Sequence, residues 1–102
     1  MTSVSLYVEL KAKSGKEEEL ATSLAGAQDL VAAEPGTAAW FAVRFDRSTF
    51  AIFDAFNDTA GREAHLSGRV AAALMARADE LLAAAPQIRK SDVLADKLPA
   101  PR

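Results

Sequence analysis

The sequence predicts an α+β domain in which helices cover one face of a four-stranded antiparallel sheet. Three observations predict it. Val4–Lys11 alternates strictly, with Val4, Leu6, Val8 and Leu10 on one side and Ser5, Tyr7 and Glu9 on the other. Two aromatic and β-branched runs, Thr37–Phe45 and Thr49–Phe56, are separated only by Asp46-Arg47-Ser48, which reads as an antiparallel hairpin. Helical periodicity follows both the first strand and the hairpin, so the order is strand, helix, strand, strand, helix, strand.

The first helix is expected from Ser14, which stands at capping-box spacing from Glu17. Glu17, Glu18 and Glu19 suit the positive end of its dipole. Leu20, Leu24, Ala27 and Val31 form its apolar stripe, and Pro35 with Gly36 ends it near Glu34. In the hairpin, Phe41, Val43 and Phe45 share one face, while Trp40, Ala42 and Arg44 share the other. Ala51, Phe53 and Ala55 form one side of the third strand; Phe50, Ile52 and Phe56 form the other, interrupted by Asp54. A strand apolar on both sides predicts cover on both sides.

Asn57, Asp58 and Thr59 are three candidate caps for the next helix, which carries the chain's only histidine, His65. Gly61 and Ser67-Gly68 are two places where this helical region can break. A helix over Arg69–Ala84 follows, with Val70, Leu74, Ala78 and Leu81 in its stripe and Met75 and Leu82 widening it. Pro86 closes it, and a polar strand over Gln87–Ala95 is expected at a sheet edge. The tail from Leu98 to Arg102 is expected to fray.

With right-handed crossovers, both helical regions fall on one face of the sheet, the ferredoxin-like βαββαβ arrangement. The other face then carries large apolar side chains with no helix to cover them. A second copy of the chain, packed sheet to sheet, is the expected cover. One domain spans the 102 residues, with a core over about residues 4–95.

Half the residues are apolar, which excludes wholesale disorder. The formal charge of −2, with mixed signs along the chain, gives no electrostatic basis for nucleic acid or an anionic membrane as partner. Cysteine is absent, which removes disulfides and thiolate chemistry. No basic, apolar leader stands at the N-terminus, and the longest apolar run, Val70–Ala76, is too short to span a bilayer. The expectation is a soluble cytoplasmic protein.

Glu34-Pro35-Gly36-Thr37, the run Phe53-Asp54-Ala55-Phe56-Asn57-Asp58 and His65-Leu66-Ser67 occur in an order and spacing that resembles the antibiotic biosynthesis monooxygenase superfamily. The likeness extends from Val4 to about Ala95. It implies a dimeric α/β barrel, with a pocket in each chain between sheet and helices. It also implies oxygenase chemistry on phenols, quinols or polycyclic aromatics without a cofactor. The haem-degrading branch of that superfamily does not fit. Its strand asparagine falls near Val8, its helix tryptophan at His65 and its haem-ligating histidine near Met75. The quinol-monooxygenase-like branch commonly places a histidine where His65 stands. Its strand aromatic before the cap, often tryptophan, is Phe56 here.

His65 is therefore the candidate general base, able to take the proton of an aromatic hydroxyl. Tyr7, Trp40, Phe41, Phe53 and Phe56 are candidates to line a pocket for a flat apolar ligand, with core or dimer-interface packing as the alternative. Asn57 either points its amide at that ligand or caps the helix. Arg44 and Asp54 are either an interfacial pair or separate solvated charges. No metal-ligand spacing and no nucleotide-binding loop is present, so neither metal nor cofactor is expected. The expected partners are a small aromatic ligand and a second copy of the chain. The rival reading is a non-enzymatic dimeric ligand-binding or regulatory domain. A proton-transferring isomerase would also use His65.

Overall fold

A computed structural model describes residues 1–99. Its elements, in chain order, are β1 (Val4–Lys11), α1 (Glu17–Gly26), α2 (Gln28–Ala32), β2 (Thr37–Arg44), β3 (Thr49–Phe56), α3 (Thr59–Leu66), α4 (Arg69–Leu81) and β4 (Gln87–Asp92). The four strands form one sheet in the order β2-β3-β1-β4, antiparallel throughout. This is the ferredoxin-like arrangement, and β1 and β3 are its central strands.

Register assigns the faces. Val4, Leu6, Val8 and Leu10 lie opposite Phe56, Asp54, Ile52 and Phe50. These residues, apart from Asp54, carry the core with Leu20, Leu24, Leu81 and Leu82. Phe50, Phe56, Leu6 and Leu10 are fully buried. Each such side chain contributes about 1.5–3 kcal/mol by leaving water. On the opposite face Ala51 and Ala55 are buried between neighbouring strands, whereas Phe41, Val43 and Phe53 are 54, 40 and 42% exposed.

Several local expectations are corrected. The helical stretch after β1 begins at Glu17 and is interrupted at Ala27. Its cap is Lys16 without a side-chain hydrogen bond, because Glu17 reaches back to the Gly15 N–H at 2.9 Å instead of pairing with Ser14. Gly15 makes the preceding turn with φ of +86°, a conformation that favours glycine. The chain stays helical through Gly61 and breaks only at Ser67-Gly68. α4 stops at Leu81, since Leu82 turns to bridge Ala12 and Ala83 donates to the Lys11 carbonyl. Met75 is exposed and does not widen the α4 stripe. β4 ends at Asp92, three residues short of the expected limit at Ala95. The expected fraying at Leu98–Arg102 lies partly outside the described residues; those after 99 are not described.

Candidate functional site

α3 begins because the Asp58 carboxylate accepts the Gly61 N–H at 2.8 Å, satisfying one of the unpaired donors of the first turn. Asp58 is thus the cap. Asn57 is exposed, and its carbonyl accepts the Ser3 hydroxyl. Seven residues past the cap, His65 turns inward in the last turn of α3 and is buried. The helix dipole there favours a cation. The Phe56 ring packs against the imidazole, centroid to centroid 5.4 Å at a 45° tilt.

Two carboxylates flank the ring. Nδ1 lies 2.6 Å from Glu34 Oε1, and Nε2 lies 3.0 Å from Asp54 Oδ2. Asp54 is the interruption in the helix-facing row of β3; its side chain is 1% exposed, and no donor is aligned for a hydrogen bond to either oxygen. The Asp54 contact is therefore one of charge more than of directed hydrogen bonding. Neither alternative weighed for Arg44 and Asp54 holds: Arg44 bonds Glu18 at 2.8 Å, and Asp54 is buried away from solvent. Burial works against the imidazolium. The Asp54 and Glu34 carboxylates, by contact and by charge, outweigh it and hold the His65 pKa above its usual 6.5.

Glu34 is fixed from the β2 side as well. Thr37 Oγ1 donates to Glu34 Oε1 at 2.8 Å. The β2–β3 pairing slips by one residue between Thr37 and Ala39, so Ala38 is extra. Thr37 lies opposite Phe56 and Trp40 opposite Asp54, which places both on the helix-facing side although they are an odd number of residues apart. Strict alternation would have turned Thr37 away from Glu34.

A cleft of about 330 Å³ opens beside this cluster, between the segment that enters β2 and the junction of α3 with α4. Glu34, Thr37, His65 and Arg69 supply its polar lining, and Leu30, Pro35 and several Ala and Gly residues supply the rest. A second cavity of about 220 Å³ lies on the other side of Glu34 and Thr37, lined also by Trp40. The Trp40 indole N–H is buried without an acceptor. Among the described residues, no group of three or more His, Cys, Asp or Glu side chains is arranged to hold a metal ion. The reason here is directional: Glu34 and Asp54 sit at opposite nitrogens of one ring and do not converge.

Of the residues singled out from the sequence, His65 and Phe56 are in contact, and Trp40 shares their face of the sheet. Tyr7 and Phe53 are register partners on the opposite face, and Phe41 pairs with Phe53 there. The sheet lies between these three and His65. Sequence reasoning did not nominate Glu34 and Asp54 as site residues. A signal for Asp54 was present, since it is the one charged residue in the row Phe50, Ile52, Phe56. Glu34 carried none beyond its place before Pro35-Gly36.

No family model and no curated protein matches the chain. Among solved structures, it is similar to the NE2512 protein of unknown function from Nitrosomonas europaea, with 56% identity, a TM-score of 0.97, and coverage of 99% of this chain and 98% of that one. It is also similar to PA3566 from Pseudomonas aeruginosa, at 23% identity and a TM-score of 0.79, over 93% of this chain and 97% of that one. A proposed antibiotic biosynthesis monooxygenase from Nitrosomonas europaea superimposes with a TM-score of 0.82 at 15% identity, over 90% of this chain and 99% of that one. The two distant matches speak to fold, the first to kinship: the chain belongs to the family of the NE2512 protein and carries the fold of the antibiotic biosynthesis monooxygenase superfamily.

Proposed function

We propose that the protein is a cofactor-independent monooxygenase that oxidises a small aromatic hydroxyl or quinol compound with O₂. The observation that carries this reading is the cleft lined by Glu34 and His65, with Asp54 buried behind the imidazole. A mostly apolar lining suits a flat ring, and the acid–base cluster gives the ring's hydroxyl a place to lose its proton. The resulting anion is electron-rich enough to react with O₂. For a quinol, one oxygen atom enters the ring and the other leaves as water, giving a hydroxyquinone; the ring supplies all the electrons. The protein positions and deprotonates, and substrate and O₂ supply the redox chemistry.

The working assembly in this reading is a homodimer. Phe41, Val43 and Phe53 stand exposed on the sheet face that no helix covers, and a two-fold sheet-to-sheet contact buries them on both subunits. Tyr7 belongs to that face, so its role, like that of Phe53, is at the interface. No described helix is long and apolar enough to cross a membrane.

Oxygen uptake with a panel of quinols and polyhydroxylated aromatics tests the chemistry. Consumption by the wild type well above the buffer rate with any member of the panel supports it. Uptake no faster than buffer across the panel defeats it. One observation favours a ligand-binding domain without turnover: both His65 nitrogens already face carboxylates. Mass spectrometry of ligand retained through gentle purification separates the two, an unchanged aromatic favouring the binder and an oxygenated one the enzyme.

A further inference from the structure

We infer that Glu34, through Oε2, is the group that accepts the substrate's proton, and that His65 is its positioning residue. This rests on the proposed deprotonation of an aromatic hydroxyl in the cleft and names the atom that performs it.

His65 has no nitrogen to offer. Nδ1 is 2.6 Å from Glu34 and Nε2 is 3.0 Å from Asp54, and the side chain is only 7% exposed. Each ring nitrogen faces a carboxylate oxygen at short range, so neither is open to a substrate hydroxyl in the cleft. Glu34 is the reverse case. Its Oε1 is already occupied, accepting from His65 Nδ1 and from Thr37 Oγ1. Its Oε2 has no hydrogen-bond donor among the described residues, and the side chain is 20% exposed. Oε2 is directed at Gly68, where an added Cβ would stand 3.4 Å from it, and Gly68 and Glu34 line the same cleft. The tighter contacts of such a Cβ are with the Ala64 and His65 carbonyl oxygens, at 3.0 and 3.3 Å, so glycine at 68 is set by the α3 backbone and leaves Oε2 at the cleft.

Charge accounting agrees. Two carboxylates flank one histidine in a largely buried place, so an imidazolium can balance only one of them and the other is in excess. A proton arriving at Oε2 neutralises that excess and leaves the Asp54–His65 ion pair intact. In the step, the substrate's O–H bond breaks, a new O–H bond forms at Oε2, and the electron pair stays on the substrate oxygen. Arg69, in the cleft's lining and without an ion-pair partner among the described residues, is a cation available to that new anion. No electron moves in this step; O₂ enters afterwards.

The test uses 4-nitrocatechol, whose phenolate absorbs in the visible, held below its own ionisation point in solution. The wild type is expected to ionise the bound dye. Glu34→Gln, which keeps an oxygen for His65 and Thr37, is expected to bind it within a few-fold but to lower the ionised fraction at least about tenfold. His65→Gln is expected to bind more weakly while still ionising what it binds. Nitrogen NMR of the His65 ring at neutral pH is expected to show both nitrogens protonated in the wild type. Glu34→Gln ionising the dye like the wild type overturns the inference, and so does a neutral His65 ring with an unprotonated nitrogen. A wild type that ionises the dye yet consumes no oxygen with any quinol defeats the oxygenase reading and leaves Glu34 as the acceptor. A wild type that binds the dye without ionising it overturns both.

Discussion

Gly36 and Gly61 meet backbone to backbone: a Cβ built on Gly61 would lie 2.8 Å from the Gly36 carbonyl oxygen, and one built on Gly36 would lie 3.0 Å from the Gly61 Cα. This contact docks the segment that carries Glu34 and Thr37 against the first turn of α3. It fixes how far apart the main chains at Glu34 and His65 stand, and the two side chains close the remaining gap to 2.6 Å.

Gly61→Ala is therefore expected to destabilise although it improves a helix. The helix gains up to about 1 kcal/mol from alanine. The clash is with a carbonyl oxygen that can move only with its segment, and such overpacking costs about 1–3 kcal/mol. Gly26→Ala is the control, because nothing lies within 4 Å of its added Cβ. It is expected to raise stability by up to about 1 kcal/mol. Urea unfolding of the two variants measures the contrast, and equal stabilisation by both would mean the glycine contact is loose.

The pH dependence of stability follows from His65. Its folded pKa is raised above 6.5, so the native state holds this proton more tightly than the unfolded chain does. The stabilisation is fully present below the unfolded pKa and is lost as pH rises through the folded one. Each unit of difference is worth about 1.4 kcal/mol. Thermal melts of the wild type are expected to fall across that window, and those of His65→Gln to stay flatter. Parallel curves for the two proteins would assign the pH dependence elsewhere.

Much of this was legible in residues and some was not. Alternation along Val4–Lys11 and Thr49–Phe56 reports which side chains share a face, and the register places them so. It does not report which face meets helices. Tyr7 and Trp40 were therefore candidates for one pocket, although the sheet separates them. The extra residue at Ala38 is invisible to pattern reading because it breaks the period that the pattern relies on. Glu34 and His65, 31 residues apart in sequence, are brought together by a glycine contact that leaves no mark in hydrophobicity.

The uncovered sheet face yields a prediction about assembly. Phe53 is 42% exposed and pairs with Phe41, itself 54% exposed, at the middle of the β2–β3 ribbon. Burying each of these rings contributes up to about 1.5–3 kcal/mol, and a two-fold axis doubles the count. Sedimentation equilibrium at low micromolar concentration is expected to show a wild-type dimer. Phe53→Lys puts a charge into that contact and is expected to give a folded monomer, since the side chain supports little within its own subunit. A monomeric wild type would defeat the paired-sheet assembly.

Asp54 gives the sharpest test of what its charge does. The side chain is almost wholly buried and, among the described residues, no donor is aligned on either oxygen and the one basic group within ion-pair distance is His65. A buried carboxylate without its counter-charge is costly, and removing one member of a buried pair penalises the member left behind. While His65 is protonated, Asp54→Leu loses the ion pair and is expected to destabilise by roughly 1–3 kcal/mol, less than the usual loss because Glu34 still faces the ring. Above the folded pKa of His65 the argument inverts. The imidazole is then neutral and offers the buried Asp54 carboxyl no counter-charge, and an apolar side chain of similar size avoids burying that polar group. Asp54→Leu is expected there to be neutral or stabilising. Chemical unfolding of wild type and variant on either side of the His65 titration measures the change of sign. Equal destabilisation at both pH values would mean that Asp54 is held by packing alone, and that the imidazolium is not what keeps a carboxylate in this core.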